Sequence, residues 1–291
     1  MALEGEKRSQ LESALADLES GGDVPYYDEA ADAEARQAYY RGIEAPSAEL
    51  LSGLLEQTHT TRPSYSPLNR LYPWIDLHPD RLIRSIYSGK DFEPEELIRA
   101  DAEIEAARTE RLHTLVGREM AMGPEALAAE LDSLDDALPY NCEHVVPQSW
   151  FGKDEPMRGD LHHLFACESG CNSFRGNSAY FDFADREVVR SDCGRSEQES
   201  GFEPGAGKGP VARATLYFLL RYPQAIGDTA PELRAERLPL LLQWHEQDPV
   251  SEYERHRNAA IAAVQGNRNP LIDNPDWATQ VDFAELWARM P

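Results

Sequence analysis

The character of the sequence changes near residue 140, and that change limits the possible folds more than any other feature. Through the first 130 residues apolar side chains recur at helical spacing between breakers. QLESALADLESGG reads as an amphipathic helix stopped by Gly21 and Gly22, and SAELLSGLLEQTH as a second with Ser47 at its N-cap. RLIRSIYSGKDF suits a strand or a short helix, and EPEELIRADAEIEAARTERLHTLVG a long charged helix with Pro94 in its first turn. From 140 the segments shorten. HVVPQSW is β-branched and bounded by polar residues, DLHHLF is compact and apolar, and FRGNSAYFDF follows a turn-rich ESGCNS. Together they predict two short strands followed by a helix or loop. Helical spacing returns in GKGPVARATLYFLLRYP, with Pro210 in its first turn and Pro223 closing it, then in ELRAERLPLLLQWHEQ and VSEYERHRNAAIAAVQGN. The expected fold class is α+β, predominantly helical. A mainly helical region 1–139 is expected to pack on region 140–291 within one structural domain.

Charge follows the same division. The chain carries 52 acids against 28 Lys and Arg, a net −24. Residues 1–140 hold 29 acids and 13 bases, residues 141–225 hold 12 and 9, and residues 226–291 hold 11 and 6. This total excludes indiscriminate adhesion to polyanions and leaves the near-balanced middle segment as the place for a local positive patch. No run approaches the roughly 18 apolar residues of a membrane span, and MALEGEKRSQ lacks the basic-then-apolar order of a secretory leader. The expectation is a monomer with no membrane partner, cytoplasmic by default and extracellular if a leader is missing.

Chemistry-bearing residues concentrate between 141 and 177: Glu143, His144, Arg158, Asp160, His162, His163, Asn172, Arg175 and Asn177. Three of the eight histidines fall here. Metal-assisted cleavage of a phosphodiester needs an oxygen-rich cation site and a neutral imidazole to take a proton from water. Glu143 and the amide oxygen of Asn172 are hard ligands suited to Mg²⁺, and His144, with an ordinary pKa of ~6.5, suits a general base. Neighbours on a regular strand point to opposite faces, so Glu143 and His144 can share a site only at a strand end or bulge. A break at Asn141 and Cys142, with Cys142 as a tether, is one way to meet that demand.

EHVVPQSWF, RGDLHHLF, N-x-x-R-G-N and VQGNRNPLID, in that order, resemble the bacterial endonuclease I family, non-specific nucleases built on a ββα-metal (His-Me finger) core. The likeness covers 140 to 275, about half the chain. It implies a ββα finger at 140–185 embedded in the helical domain, with the C-terminal helices completing the catalytic region. It also implies Mg²⁺-dependent hydrolysis of DNA, with RNA a further candidate, leaving 5′-phosphate and 3′-hydroxyl ends. His144 becomes the base, Glu143 and Asn172 the ligands of one Mg²⁺, and His162 a neighbour of the metal centre that orients His144 or a ligand. For His163 the rival reading, apart from the resemblance, is a residue that packs beneath the site. Arg158 or Arg175 supplies the cation at the scissile phosphate, and Arg175 and Asn177 belong to the RGN, which also suits a turn.

Four cysteines, Cys142, Cys167, Cys171 and Cys193, fall within 52 residues around these motifs. A Cys₄ structural Zn²⁺ site is the leading reading, ahead of two disulfides, which a reducing cytoplasm would oppose, and of unlinked thiols. Candidate phosphate contacts are Arg158, Arg175, Arg186, Arg190, Lys208, Arg213 and Arg268, with Lys208 and Arg213 favoured because they begin a helix. Two other classes compete with a nuclease: a non-catalytic zinc-stabilised binding module for nucleic acid or protein, and a zinc hydrolase using His144, His162 and His163.

Overall fold

The computed structural model describes residues 2–22, 24–119, 130, 133–134, 137–183, 189–197, 201–223, 225–226, 237–283 and 286. Helices dominate, as the spacing predicts. The N-terminal part supplies α1 (Ala2–Gly21), α2 (Glu29–Tyr39), α3 (Ala48–Thr58), the short α4 (Pro67–Arg70) with a π turn at Leu71–Ile75, and α5 (Pro94–Glu119). Ser47 caps α3 by accepting from the Leu50 N–H, and Pro94 opens α5. RLIRSIYSGKDF forms neither a full strand nor a helix: Ile83–Arg84 (β1) and Asp91–Phe92 (β2) pair as a minimal antiparallel hairpin.

The second half opens on β3 (Cys142–His144), antiparallel to β4 (Leu164–Ala166), and α6 (Ser169–Arg175) follows. The register sets Cys142 opposite Ala166, Glu143 opposite Phe165 and His144 opposite Leu164. A third sheet, β5 (Val189–Ser191), β6 (Gly194–Glu197) and β7 (Gly201–Pro204), precedes α7 (Lys208–Arg221), α8 (Leu238–Gln247), α9 (Glu252–Gln265) and α10 (Pro270–Asp273). The strand expected in HVVPQSW is displaced. Regular pairing stops at His144, and Pro147, which has no N–H for a ladder, leads a 3₁₀ turn over Gln148–Phe151.

Two apolar cores flank the β3–β4 hairpin. Cys142, Leu164 and Ala166 pack with Ala14, Leu68, Tyr72, Ile98 and Ile261, whereas Phe165, Val145 and Val146 pack with α3, α7 and α8. Successive residues of β4 thus enter opposite cores, which is why DLHHLF lacks a polar alternation: a strand buried on both faces reads as continuously apolar. Polar bonds hold the hairpin in place. Arg257 of α9 donates from Nε to Asp76 Oδ1 (2.8 Å) and from Nη2 to the carbonyls of Leu161 and Leu164, while Asp76 Oδ2 accepts from the Ala166 N–H at 2.7 Å. Asp101 of α5 accepts from both the backbone and side-chain N–H of Asn141, at 3.0 and 2.8 Å.

Candidate active site

His144 is the last residue of β3, so the strand-end geometry that lets neighbours share a site is met. The break does not fall at Asn141 and Cys142, as expected. Pairing is regular through Cys142, and the ladder runs on for one bond, from the Val145 N–H to the His163 carbonyl at 3.0 Å, before the chain turns away. Glu143 and His144 both line a cleft of about 620 Å³, with Asn172, Arg175 and Asn177 from α6 and the turn after it.

Each of the three central side chains is fixed through one atom and leaves another for chemistry. Glu143 Oε1 accepts from Arg175 Nη1 at 2.6 Å and from the Tyr87 hydroxyl at 2.7 Å, and neither bond uses Oε2. Burial raises the Glu143 pKa above the usual carboxylate value, against the opposing pull of Arg175 and Tyr87. Asn172 Nδ2 donates to the Cys142 carbonyl at 2.8 Å, which orients the amide and leaves Oδ1 outside that bond. His144 Nε2 lies 2.9 Å from the Arg158 carbonyl. A carbonyl only accepts, so Nε2 carries the proton and Nδ1 keeps its lone pair. Burial, followed by His163, drives the His144 pKa well below 6.5 and keeps the ring neutral. One carboxylate oxygen and one amide oxygen form a hard donor set that fits a divalent cation.

The two arginines separate clearly. Arg175 is buried, and besides Glu143 it donates to the carbonyls of His144 (3.1 Å), Val145 (2.9 Å) and Ser178 (3.1 Å). It is a clamp on the strand end, contrary to its expected role at the phosphate. Arg158 is half-buried, donates to Gln148 Oε1 at 2.9 Å and lies 5.3 Å from the centre of the Tyr65 ring. Gly159 makes this possible, because a Cβ there would strike the Pro63 carbonyl of the segment that carries Tyr65.

Several expected roles are corrected. His162 does not adjoin His144: its Nε2 faces the Asn267 carbonyl at 3.2 Å and its ring lies against Tyr217. His163 is the neighbour, with ring centres 5.3 Å apart and its Nε2 donating to the Met157 carbonyl. The three histidines therefore do not converge as a zinc triad. Arg213 is fully buried and bidentate to Glu254 (2.6 and 2.9 Å), and Arg268 is buried between Asp32 and Asp273, so neither can reach a phosphate. Lys208 is half-exposed, bound to Glu203 at 2.7 Å, and lies outside the cleft. Arg186 and the side chain of Arg190 lie outside the described residues.

The four cysteines do not gather into one zinc site. Cys171 and Cys193 form a disulfide, while Cys142 and Cys167 are buried thiols in opposite cores. Glu168 lies beside the disulfide sulfurs, which while bonded offer no thiolate.

Sequence reasoning missed the far wall. Tyr65, Arg108 and Tyr140 come from segments before the motifs and line the same cleft, and Tyr87 holds Glu143 from beneath. Nothing local marks them: Tyr87 lies 56 residues from Glu143. With these included, the described lining carries Arg108, Lys153, Arg158 and Arg175 against one acid, Glu143. A chain of net −24 thus concentrates positive charge at one place.

A family model described as Endonuclease I matches residues 57–276. An extracellular ribonuclease of Bacillus subtilis is 34% identical over 155 residues, covering 49% of this chain and 54% of the relative. An extracellular deoxyribonuclease of Aeromonas hydrophila is 31% identical over 153 residues (45% and 64%), and a periplasmic deoxyribonuclease of the same organism is 29% identical over 153 residues (45% and 62%). The chain spans about half the length of the ribonucleases it matches, 54% and 53%. The expectation of a cytoplasmic protein is overturned, since these relatives are named extracellular or periplasmic and point to a secreted protein. The Cys171–Cys193 disulfide accords with an oxidising compartment.

Proposed function

The chain belongs to the endonuclease I family, and from that premise we propose that it is a Mg²⁺-dependent, sequence-non-specific endonuclease that hydrolyses the phosphodiester bonds of DNA and RNA. The observation that carries this reading is the convergence on one basic cleft of an imidazole with a free Nδ1 lone pair and two oriented hard oxygens. Relatives named ribonuclease and deoxyribonuclease at similar identity support a site that does not discriminate the sugar.

In this reading His144 Nδ1 removes a proton from the water that attacks phosphorus, the bond from phosphorus to the 3′ oxygen breaks, and solvent protonates that oxygen. The products are 5′-phosphate and 3′-hydroxyl ends. The Arg158 carbonyl holds the ring in the required tautomer, as such an acceptor does wherever histidine acts as a base. Glu143 and Asn172 hold the divalent cation, which when bound neutralises the scissile phosphate and the leaving oxygen. Arg158 adds positive charge as the transition state forms.

The test is degradation of plasmid DNA and of RNA by wild type and His144→Ala, in Mg²⁺, in EDTA and with Zn²⁺ added back. Wild type should cut in Mg²⁺ and stop in EDTA, and His144→Ala should lose about 10²- to 10⁴-fold in rate, the usual contribution of a general base. Folded wild type that cuts neither polymer in Mg²⁺ refutes the nuclease, and an unimpaired His144→Ala refutes the assigned base.

A further inference from the structure

The far wall of the cleft is a ladder of two tyrosine rings with an arginine at each end. The Arg108 guanidinium lies 5.0 Å from the centre of the Tyr140 ring, Tyr140 meets Tyr65 edge to face at 5.6 Å, and Tyr65 lies 5.3 Å from Arg158. Tyr65 is also 4.8 Å from the His144 ring, so the ladder begins at the reacting centre. End to end its steps span at most about 16 Å. Its outer ring is anchored: the Tyr140 hydroxyl donates to Glu105, and Arg108 Nη1 donates to the Leu138 carbonyl at 2.9 Å. Both rings remain half-buried and line the cleft.

We propose that this ladder is a base-stacking subsite for an unpaired strand, seating the one or two nucleotides beside the scissile phosphate; the inference rests on the nuclease reading above. Two properties favour a nucleic-acid strand as the occupant. The lining is cationic, which suits the backbone, and planar rings and guanidinium groups offer stacking faces that accept any base. A duplex cannot use them, because its bases are already stacked on one another and paired. In a space of about 620 Å³ a strand can lay down a base or two. The ladder therefore makes single-stranded DNA or RNA the preferred substrate, without sequence preference, and gives the acidic N-terminal part a direct role through Tyr65 and Arg108.

Binding is read on the full chain in EDTA, where the nuclease is silent, with three probes: a labelled single-stranded oligonucleotide, the same strand with abasic residues throughout, and its duplex. Stacking contributes about 1–3 kcal/mol per base, so the intact strand should bind roughly 5- to 150-fold more tightly than the abasic strand for each base seated. It should also bind more tightly than the duplex. Tyr140→Leu should narrow the difference between intact and abasic strands. Equal binding of intact and abasic strands, tighter binding of duplex, no binding of any probe, or an undiminished difference in Tyr140→Leu would each overturn the proposal. The abasic comparison uses wild type alone and so stands if the variant misfolds. Wild type that binds in the expected pattern yet cuts nothing once Mg²⁺ is restored would refute the nuclease and leave the stacking subsite standing. Wild type that cuts well but ignores base stacking would do the reverse.

Discussion

Arg175 directs four hydrogen bonds at the protein's own oxygens, while Arg158, in the same cleft, uses Nε on Gln148 and lies against Tyr65. The two should fail differently when truncated. Arg175→Ala leaves Glu143 buried without its cation, a loss that typically destabilises by about 3–5 kcal/mol, and should be seen first as a lowered unfolding midpoint. Arg158→Ala should unfold near wild type and lose activity by about 10²- to 10³-fold, mostly in kcat. Thermal unfolding and steady-state kinetics on both variants check this, and an equal drop in stability would remove the distinction. That Glu143, His144 and Asn172 share one cleft was legible because their residue types and order point to one site. Arg213 and Arg268 were misread because a sequence shows a cation without its partner. Glu254 lies 41 residues from Arg213, and Asp32 lies 236 from Arg268.

At the scale of elements, α6 has seven residues, too few to hold a helix by themselves, yet it carries Asn172. Next to Asn172, Cys171 is bonded to Cys193 in the turn between β5 and β6, closing a separation of 22 residues. Opening a loop of that length by Cys193→Ala should cost about 3 kcal/mol in unfolding free energy. Because the loosened helix carries Asn172, a ligand in the proposed mechanism, half-maximal activity should also require more Mg²⁺. Calorimetry and a Mg²⁺ titration test the two effects, and an unchanged titration would separate the disulfide from the ligand. The long helices were legible through caps and prolines such as Ser47 and Pro94, which act within one turn. The strand was misplaced onto VVP because those β-branched residues satisfy strand propensity, and tertiary pairing instead selected Cys142–His144.

Across the whole molecule, burial depresses seven of the eight histidines below their ordinary pKa: His59, His78, His144, His162, His163, His245 and His256. His162 is pushed down to about 3 and His78 to about 4. The sign follows directly: an unfolded chain takes up protons near pH 6.5 that the folded chain refuses until far lower pH. Stability is therefore full above about pH 6.5 and declines as pH falls toward 3. Each proton contributes a slope of up to roughly 1.4 kcal/mol per pH unit. Urea unfolding from pH 7 to pH 4 should show the midpoint falling steeply, and a flat profile would contradict the neutral buried state of these rings.

The β3–β4 hairpin, with its two sides in different cores, has an evolutionary consequence. One core draws on Ala14 to Ile98 and the other on Ala48 to Tyr87, all from sequence before residue 140. A gene fragment encoding only 140–291 would inherit the EH and N-x-x-R motifs with both supporting cores incomplete. A gene exchange that carries only this fragment should therefore yield no finger that folds by itself.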